Sequence, residues 1–233
     1  MAKKKGTQAN EELTKTLNKS EEFVTKYKWP IIATIVAIIA IIGASIGWNH
    51  YSNSRNETAS KALAYGEQWF LLEDYEKALN GDSIGNPGFK SVINQYSGTK
   101  AANLANLYAG ICLTKLEKWD EAAKYLENYK PGDDLEISPA ATMALGDCYV
   151  YMKQYDKAVE TFKQAAKIAD NASKDGINNA ISPVALNKAA IVLMQQLKKN
   201  DEALEIFKTI KEKYRNASID VDKYIEYLEN LSK

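Results

Sequence analysis

The sequence predicts an all-α chain: a single N-terminal transmembrane helix, then a right-handed α-solenoid of about four helical hairpins closed by a C-terminal capping helix. Three observations predict it. Eighteen uncharged residues lie between Trp29 and Trp48. One short phrase is written four times, as DYEKALNG from 74, KWDEAAKYL from 118, QYDKAVETF from 154 and NDEALEIF from 200. The stretch SIDVDKYIEYLENLSK then sets Ile219, Tyr224, Tyr227, Leu228 and Leu231 at helical spacing, which suits a helix covering the open end of a stack. The chain divides accordingly into a Lys-rich tail at 1–28, a membrane helix at 29–48 and a repeat domain at 49–233.

Of the 233 residues, 45% are hydrophobic and 26% charged, which is ordinary for a folded chain and excludes wholesale disorder. The net charge is zero. Residues 1–29 hold seven Lys and four Glu, so they carry +3 and the remainder −3. A mildly acidic remainder without a concentrated basic face excludes nucleic acid as the expected partner.

The tail EELTKTLNKSEEFVTKYK places Leu13, Leu17, Val24 and Tyr27 at helical spacing. It reads either as an amphipathic helix on the inner membrane surface or as a solvated tail. The 18 residues that follow Trp29 span roughly 27 Å as a helix, the thickness of a bilayer hydrocarbon core. Trp29 and Trp48 fit the two membrane interfaces, and Pro30 is expected in the first turn. Gly43, Ala44 and Gly47 leave one end of the segment thin enough for another helix to approach. Lys15, Lys19, Lys26 and Lys28 precede the segment, behind Lys3, Lys4 and Lys5, whereas only Arg55 and Lys61 follow closely. The positive-inside bias therefore puts the N-terminus in the cytoplasm and the bulk of the chain across the membrane. The long basic region with its four Glu, and the lack of a small-x-small site, favour an uncleaved anchor over a signal peptide.

The four phrases align on Ala78, Ala122, Ala158 and Ala203. Gly66, Gly110 and Gly146 stand twelve residues before the first three; the fourth has Ala190–Ile191 there, with a one-residue slip. A helical hairpin packs tightly only where side chains are small at the crossing, so each unit reads as a small residue on one helix, a turn, then Ala on the next. The pattern Leu145-Gly146-x2-Tyr149 followed by Ala158-x3-Phe162, with Ala109-Gly110-x2-Leu113 and Ala122-x3-Leu126 before it, resembles the tetratricopeptide repeat. Tyr65-Gly66-x2-Trp69 with Ala78, and Ala203-x3-Phe207, extend it at either end. Extra residues fall in the loops NGDSIGNPG (80–88) and DNASKDGINNAIS (170–182). The first of these interrupts a helix that is expected to restart with Asn86 as its cap.

The sequence offers no catalytic constellation. His50 is the only histidine, with no nucleophile motif around it. Cys112 and Cys148 occupy equivalent positions, read as small apolar side chains in the seams between units. No metal-ligand spacing and no phosphate loop occurs, and Asp133–Asp134 lie in a loop. No cofactor, metal or enzymatic activity is expected.

The resemblance implies a groove lined by the first helix of each pair, formed by Leu63, Glu67, Phe70 and Leu71, then Leu107, Ile111, Thr114 and Lys115, then Met143, Asp147, Val150 and Tyr151. Where some members of this repeat family hold a peptide carboxylate with Lys and Asn, this chain has Leu107, Ile111, Met143 and Asp147, so that clamp is not expected. In layout the chain resembles the membrane-anchored tetratricopeptide ancillary subunit of the bacterial Sec translocon. That resemblance implies a single-pass protein of the bacterial inner membrane with its repeat domain in the periplasm. It would act as a scaffold or holdase for exported clients beside secretion-channel subunits and a membrane-anchored prolyl isomerase. A cell-envelope assembly scaffold, for wall synthesis or outer-membrane biogenesis, is the alternative expectation.

Overall fold

The computed structural model describes the backbone of residues 2–231 and the side chains of residues 25–231. Its internal contacts divide the chain into two compact units, residues 1–54 and 55–233. Helix α1 runs without a break from Ala2 to Leu71. One stretch within it is long and apolar enough to cross a membrane, with a mean hydropathy of 2.5 over 18 residues and none of them buried. Trp29 and Trp48 are 73% and 71% exposed, and beyond the adjoining residues and backbone of the helix itself no described atom lies within 4 Å of where a Cβ would stand at Gly43 or Gly47. Pro30 does not begin this helix, as expected from the sequence, but lies inside it. Its ring removes one backbone donor, and the Thr34 hydroxyl donates to the Pro30 carbonyl at 2.8 Å. Tyr27 is 41% exposed; the expected companions Leu13, Leu17 and Val24 lie outside the residues whose side chains are described.

The second unit begins within α1 and continues through α2 (Tyr75–Asn80), α3 (Phe89–Gln95), α4 (Lys100–Lys115), α5 (Trp119–Asn128), α6 (Ile137–Tyr151), α7 (Tyr155–Ala172) and α8 (Ser182–Val192). A π turn, Leu193–Leu197, extends α8; α9 (Asn200–Lys213) and α10 (Asp222–Leu231) complete it. No strand occurs among the described residues. From α3 onward each helix packs chiefly on its neighbours in sequence, whereas the short α2 meets α4 as well as α3.

The hairpins close through glycine sockets. A methyl group added at Gly146 would stand 2.6 Å from the Phe162 ring, one at Gly110 would stand 2.5 Å from Leu126, and one at Gly66 would stand 2.6 Å from Phe89. Ala78, Ala122, Ala158 and Ala203 are all fully buried. Leu126 and Phe162 each lie four residues after their alanine. The first hairpin has Asp82 at that place, and Phe89 supplies the missing ring seven residues later. The intervening loop is folded by the Asp82 carboxylate, which accepts from the Asn86 amide at 2.9 Å and its side chain at 2.8 Å. Asn86 is thereby committed to the loop, and Gly88, not Asn86, is the cap of α3. A side chain at Gly88 would collide with the Leu79 carbonyl and the Gly81 nitrogen, so only glycine lets α3 resume against α2.

The turn within each hairpin repeats one backbone device. Glu73, Glu117, Lys153 and Lys198 adopt φ of 58°, 58°, 58° and 56°. In the first three hairpins the next amide reaches back five residues: Asp74 to Trp69, Lys118 to Leu113 and Gln154 to Tyr149, at 2.8–3.0 Å. These are Schellman closures made without glycine. At the far end, α10 buries Leu228 and stacks Tyr224 on Phe207 with ring centroids 4.8 Å apart. Tyr227 and Leu231, expected on the covering side, are 56% and 55% exposed. They form a separate i, i+4 row beside the one through Tyr224 and Leu228.

Gly146→Ala should lower stability. The overpacked ring costs about 1–3 kcal/mol, more than the roughly 1 kcal/mol that alanine gains over glycine in a helix. The cost should shrink in a Phe162→Ala background, which empties the socket; denaturation midpoints of the two singles and the double measure that coupling.

Candidate functional site

The first helices of the hairpins are residues 55–71 of α1, then α4, α6 and α8. The structure sorts the expected lining residues into three groups. Leu63 and Leu107 are buried at 5% and 6%, because the row three residues before each of these glycines turns into the core. Phe70, Ile111, Met143, Asp147 and Val150 are half-buried. Leu71, Lys115 and Tyr151 are exposed, Leu71 by 80%.

Several of these side chains are already engaged within the fold. Phe70 meets Tyr108 edge-on at 5.1 Å and Tyr75 at 5.9 Å. Tyr151 lies flat on Trp119 at 3.8 Å with an interplanar angle of 3°. Asp147 accepts both of its bonds from the Lys188 ammonium, at 2.7 and 2.8 Å, and the Thr114 hydroxyl turns back to the Ile111 carbonyl at 2.7 Å. Tyr75, Tyr108, Trp119 and Lys188 are the participants that sequence reasoning missed. A positional signal for two of them exists. Glu67 and Asp147 each follow a repeat glycine; Glu67 acts electrostatically on Tyr108 and Asp147 accepts from Lys188, each partner standing two residues before the next small residue. Burial, and then the Glu67 carboxylate, raises the Tyr108 hydroxyl above its ordinary pKa. The corresponding pair between the second and third hairpins is Ile111 and Ala144, both half-buried. The surface is thus polar and internally paired at its ends and apolar at its middle.

The remaining polar clusters serve the fold. Asp134 receives the Ser138 amide at 2.9 Å and the Ser138 hydroxyl, which organises the start of α6. Asp170 receives the Asn178 amide at 2.9 Å, the Ser182 hydroxyl at 2.6 Å, the Lys213 ammonium at 2.6 Å and the Tyr214 hydroxyl at 2.7 Å. Burial alone would raise the Asp170 carboxyl. The Asn178 amide, Lys213, Ser182 and Tyr214 together outweigh it and hold the pKa below its ordinary value. Cys112 and Cys148 are fully buried and unpaired. Burial pushes both thiols up to about 12, Asp147 adding to the effect at Cys148. Among the described residues no group of three or more His, Cys, Asp or Glu is placed to hold a metal, and His50 is exposed on α1.

Paired helices stacked on sequence neighbours, with a partly apolar face along the first helix of each pair, define a helical-repeat interaction module. The particular family is that of the tetratricopeptide repeat-like domain, which matches residues 22–174; the chain belongs to it. No curated protein and no solved structure matches the chain. Domains of this kind serve as protein–protein interaction modules.

Two outcomes are expected. The Asp170 pKa is lowered on folding, so its contribution to stability is complete above the unfolded carboxylate value of about 4 and is lost as pH falls toward the lowered native value. Asp170→Ala should destabilise the chain by about 1–3 kcal/mol at neutral pH and flatten the acid limb of stability against pH. A thiol reagent should leave both cysteines unmodified in the folded chain at pH 8 and label both after denaturation.

Proposed function

We propose that this chain is a single-pass membrane protein whose repeat domain, on the exported side of a bacterial inner membrane, scaffolds or holds exported proteins beside a secretion channel. The observation that carries the reading is the combination of a membrane-length apolar helix with a repeat domain presenting apolar side chains. Lys26 and Lys28 precede the apolar stretch, and Arg55 and Lys61 are the first basic residues after it, which supports a cytoplasmic N-terminus. Leu71, Ile111, Met143, Val150 and Tyr151 form the proposed contact surface, with Phe70, Lys115 and Asp147 alongside. A surface that mixes flexible, aliphatic and aromatic groups suits apolar segments of varied sequence. Channel subunits and a membrane-anchored prolyl isomerase are the proposed standing partners. The role proposed is binding, without cofactor or catalysis. Trp29 and Trp48 would sit at the membrane interfaces, and Gly43, Ala44 and Gly47 offer a face for a neighbouring membrane helix.

Purification of the tagged chain from native membranes in mild detergent, followed by mass spectrometry, should recover secretion-channel subunits. Recovery of wall-synthesis or outer-membrane assembly proteins instead would favour an envelope scaffold, and recovery of neither would reject both readings. Leu71→Asp should leave the unfolding midpoint unchanged and reduce client recovery severalfold. A reporter fused after Lys233 should be active only on the exported side.

A further inference from the structure

We infer that the π turn Leu193–Leu197 is a single inserted residue, absorbed on the exposed side of the fourth hairpin so that its packing face and its turn both stay in register with the other three. Three independent observations agree. The first is spacing: the small residue of the crossing precedes its alanine by twelve positions at Gly66, Gly110 and Gly146, and by thirteen at Ala190. The second is hydrogen bonding. The turn amide reaches back five residues in the first three hairpins, as from Lys118 to Leu113 and from Gln154 to Tyr149. In the fourth, Lys199 reaches back six, to the Leu193 carbonyl at 2.9 Å. The third is burial. From Gly110 and from Gly146 the chain runs buried, half-buried, buried, buried, half-buried, exposed, half-buried, ending at Leu116 and Met152. From Ala190 the same series appears with one extra exposed residue, Gln195 or Gln196, before Leu197. Lys198 then takes the left-handed conformation that Glu117 and Lys153 take.

The insertion has a packing consequence. In an uninterrupted α-helix with these residues, the position twelve before Ala203 is Ile191, whose branched side chain would meet the second helix where the other hairpins carry glycine. The widened turn shifts the register by one and sets Ala190 there instead, fully buried in one cluster with Phe207. Removing the extra residue would leave Ala190 at twelve and restore an ordinary helix end.

The test is a deletion in the full-length chain. Deleting Gln195 or Gln196 gives the same sequence, and that variant should unfold cooperatively at or above the parent's temperature, higher by about 2–4 °C. A matched deletion of Lys115, an exposed residue at the equivalent place in a regular hairpin, should displace Gly110 from its socket and lower the midpoint by about 5–10 °C. A glutamine deletion that fails to fold, or that melts below the parent, overturns the inference. So does a Lys115 deletion that melts as the parent does.

Discussion

The first three hairpins of the repeat domain depend on one kind of contact: a large side chain lying where the first helix has no side chain. Phe89, Leu126 and Phe162 occupy the space a Cβ would take at Gly66, Gly110 and Gly146. Burying such a side chain is worth about 1.5–3 kcal/mol, several times what a surface ion pair contributes. Glycine in mid-helix costs roughly 1 kcal/mol, so the socket is favourable only while the incoming ring or isobutyl group is present. The contact also fixes geometry. It sets how closely two helices approach, and so where the turn between them must close.

The turns and the polar contacts are subordinate to that spacing. The left-handed residues Glu73, Glu117 and Lys153 all stand five positions before a buried alanine, and each closes with the same pair of backbone bonds. Lys118 bonds Glu76 and Lys199 bonds Asp156, which are equivalent pairs between successive second helices. These pairs are 43–77% exposed, so they assist register more than stability. The third hairpin carries Gln154 at this place, and its buried side-chain oxygen has no partner. The ladder is therefore incomplete, yet the hairpin stands, because Phe162 and Gly146 hold it.

What could be read from the sequence followed the same hierarchy. The membrane-length apolar stretch and the repeats were legible because both are written as composition at fixed spacing, which single residues report directly. The continuity of α1 through Pro30 and past Trp48 was not, since a proline early in an apolar run reads as a helix start. The cap of α3 was misread at Asn86 because capping propensity ignores competition, and the Asp82 carboxylate claims that side chain first. Of the expected contact residues, Leu71, Lys115 and Tyr151 are on the surface. The inward turn of Leu107 depends on which side of a helix its neighbours cover, and one unit's sequence does not encode that. Cross-unit pairs such as Asp147–Lys188 join residues 41 positions apart, so they emerge only when successive units are aligned on their small residues.

The fourth hairpin separates a repeat as a sequence from a repeat as an object. The family match ends at residue 174, and the fourth hairpin begins after it. Counting residues, its small-to-alanine spacing is out of step with the others. By its contacts it is a full member: Ala190, Ala203 and Phe207 are fully buried, Lys198 makes the left-handed turn, and Tyr224 of the last helix stacks on Phe207. A stack is defined by which faces meet, and a helix can gain a residue without rotating its buried face if the surplus is taken up within one widened turn. The exposed position of Gln195 and Gln196 meets that condition. The same tolerance appears in the first hairpin, where seven extra residues between Ala78 and Phe89 leave the socket at Gly66 filled. Insertions in this domain are thus constrained by the sockets they must not disturb, and hardly by their length.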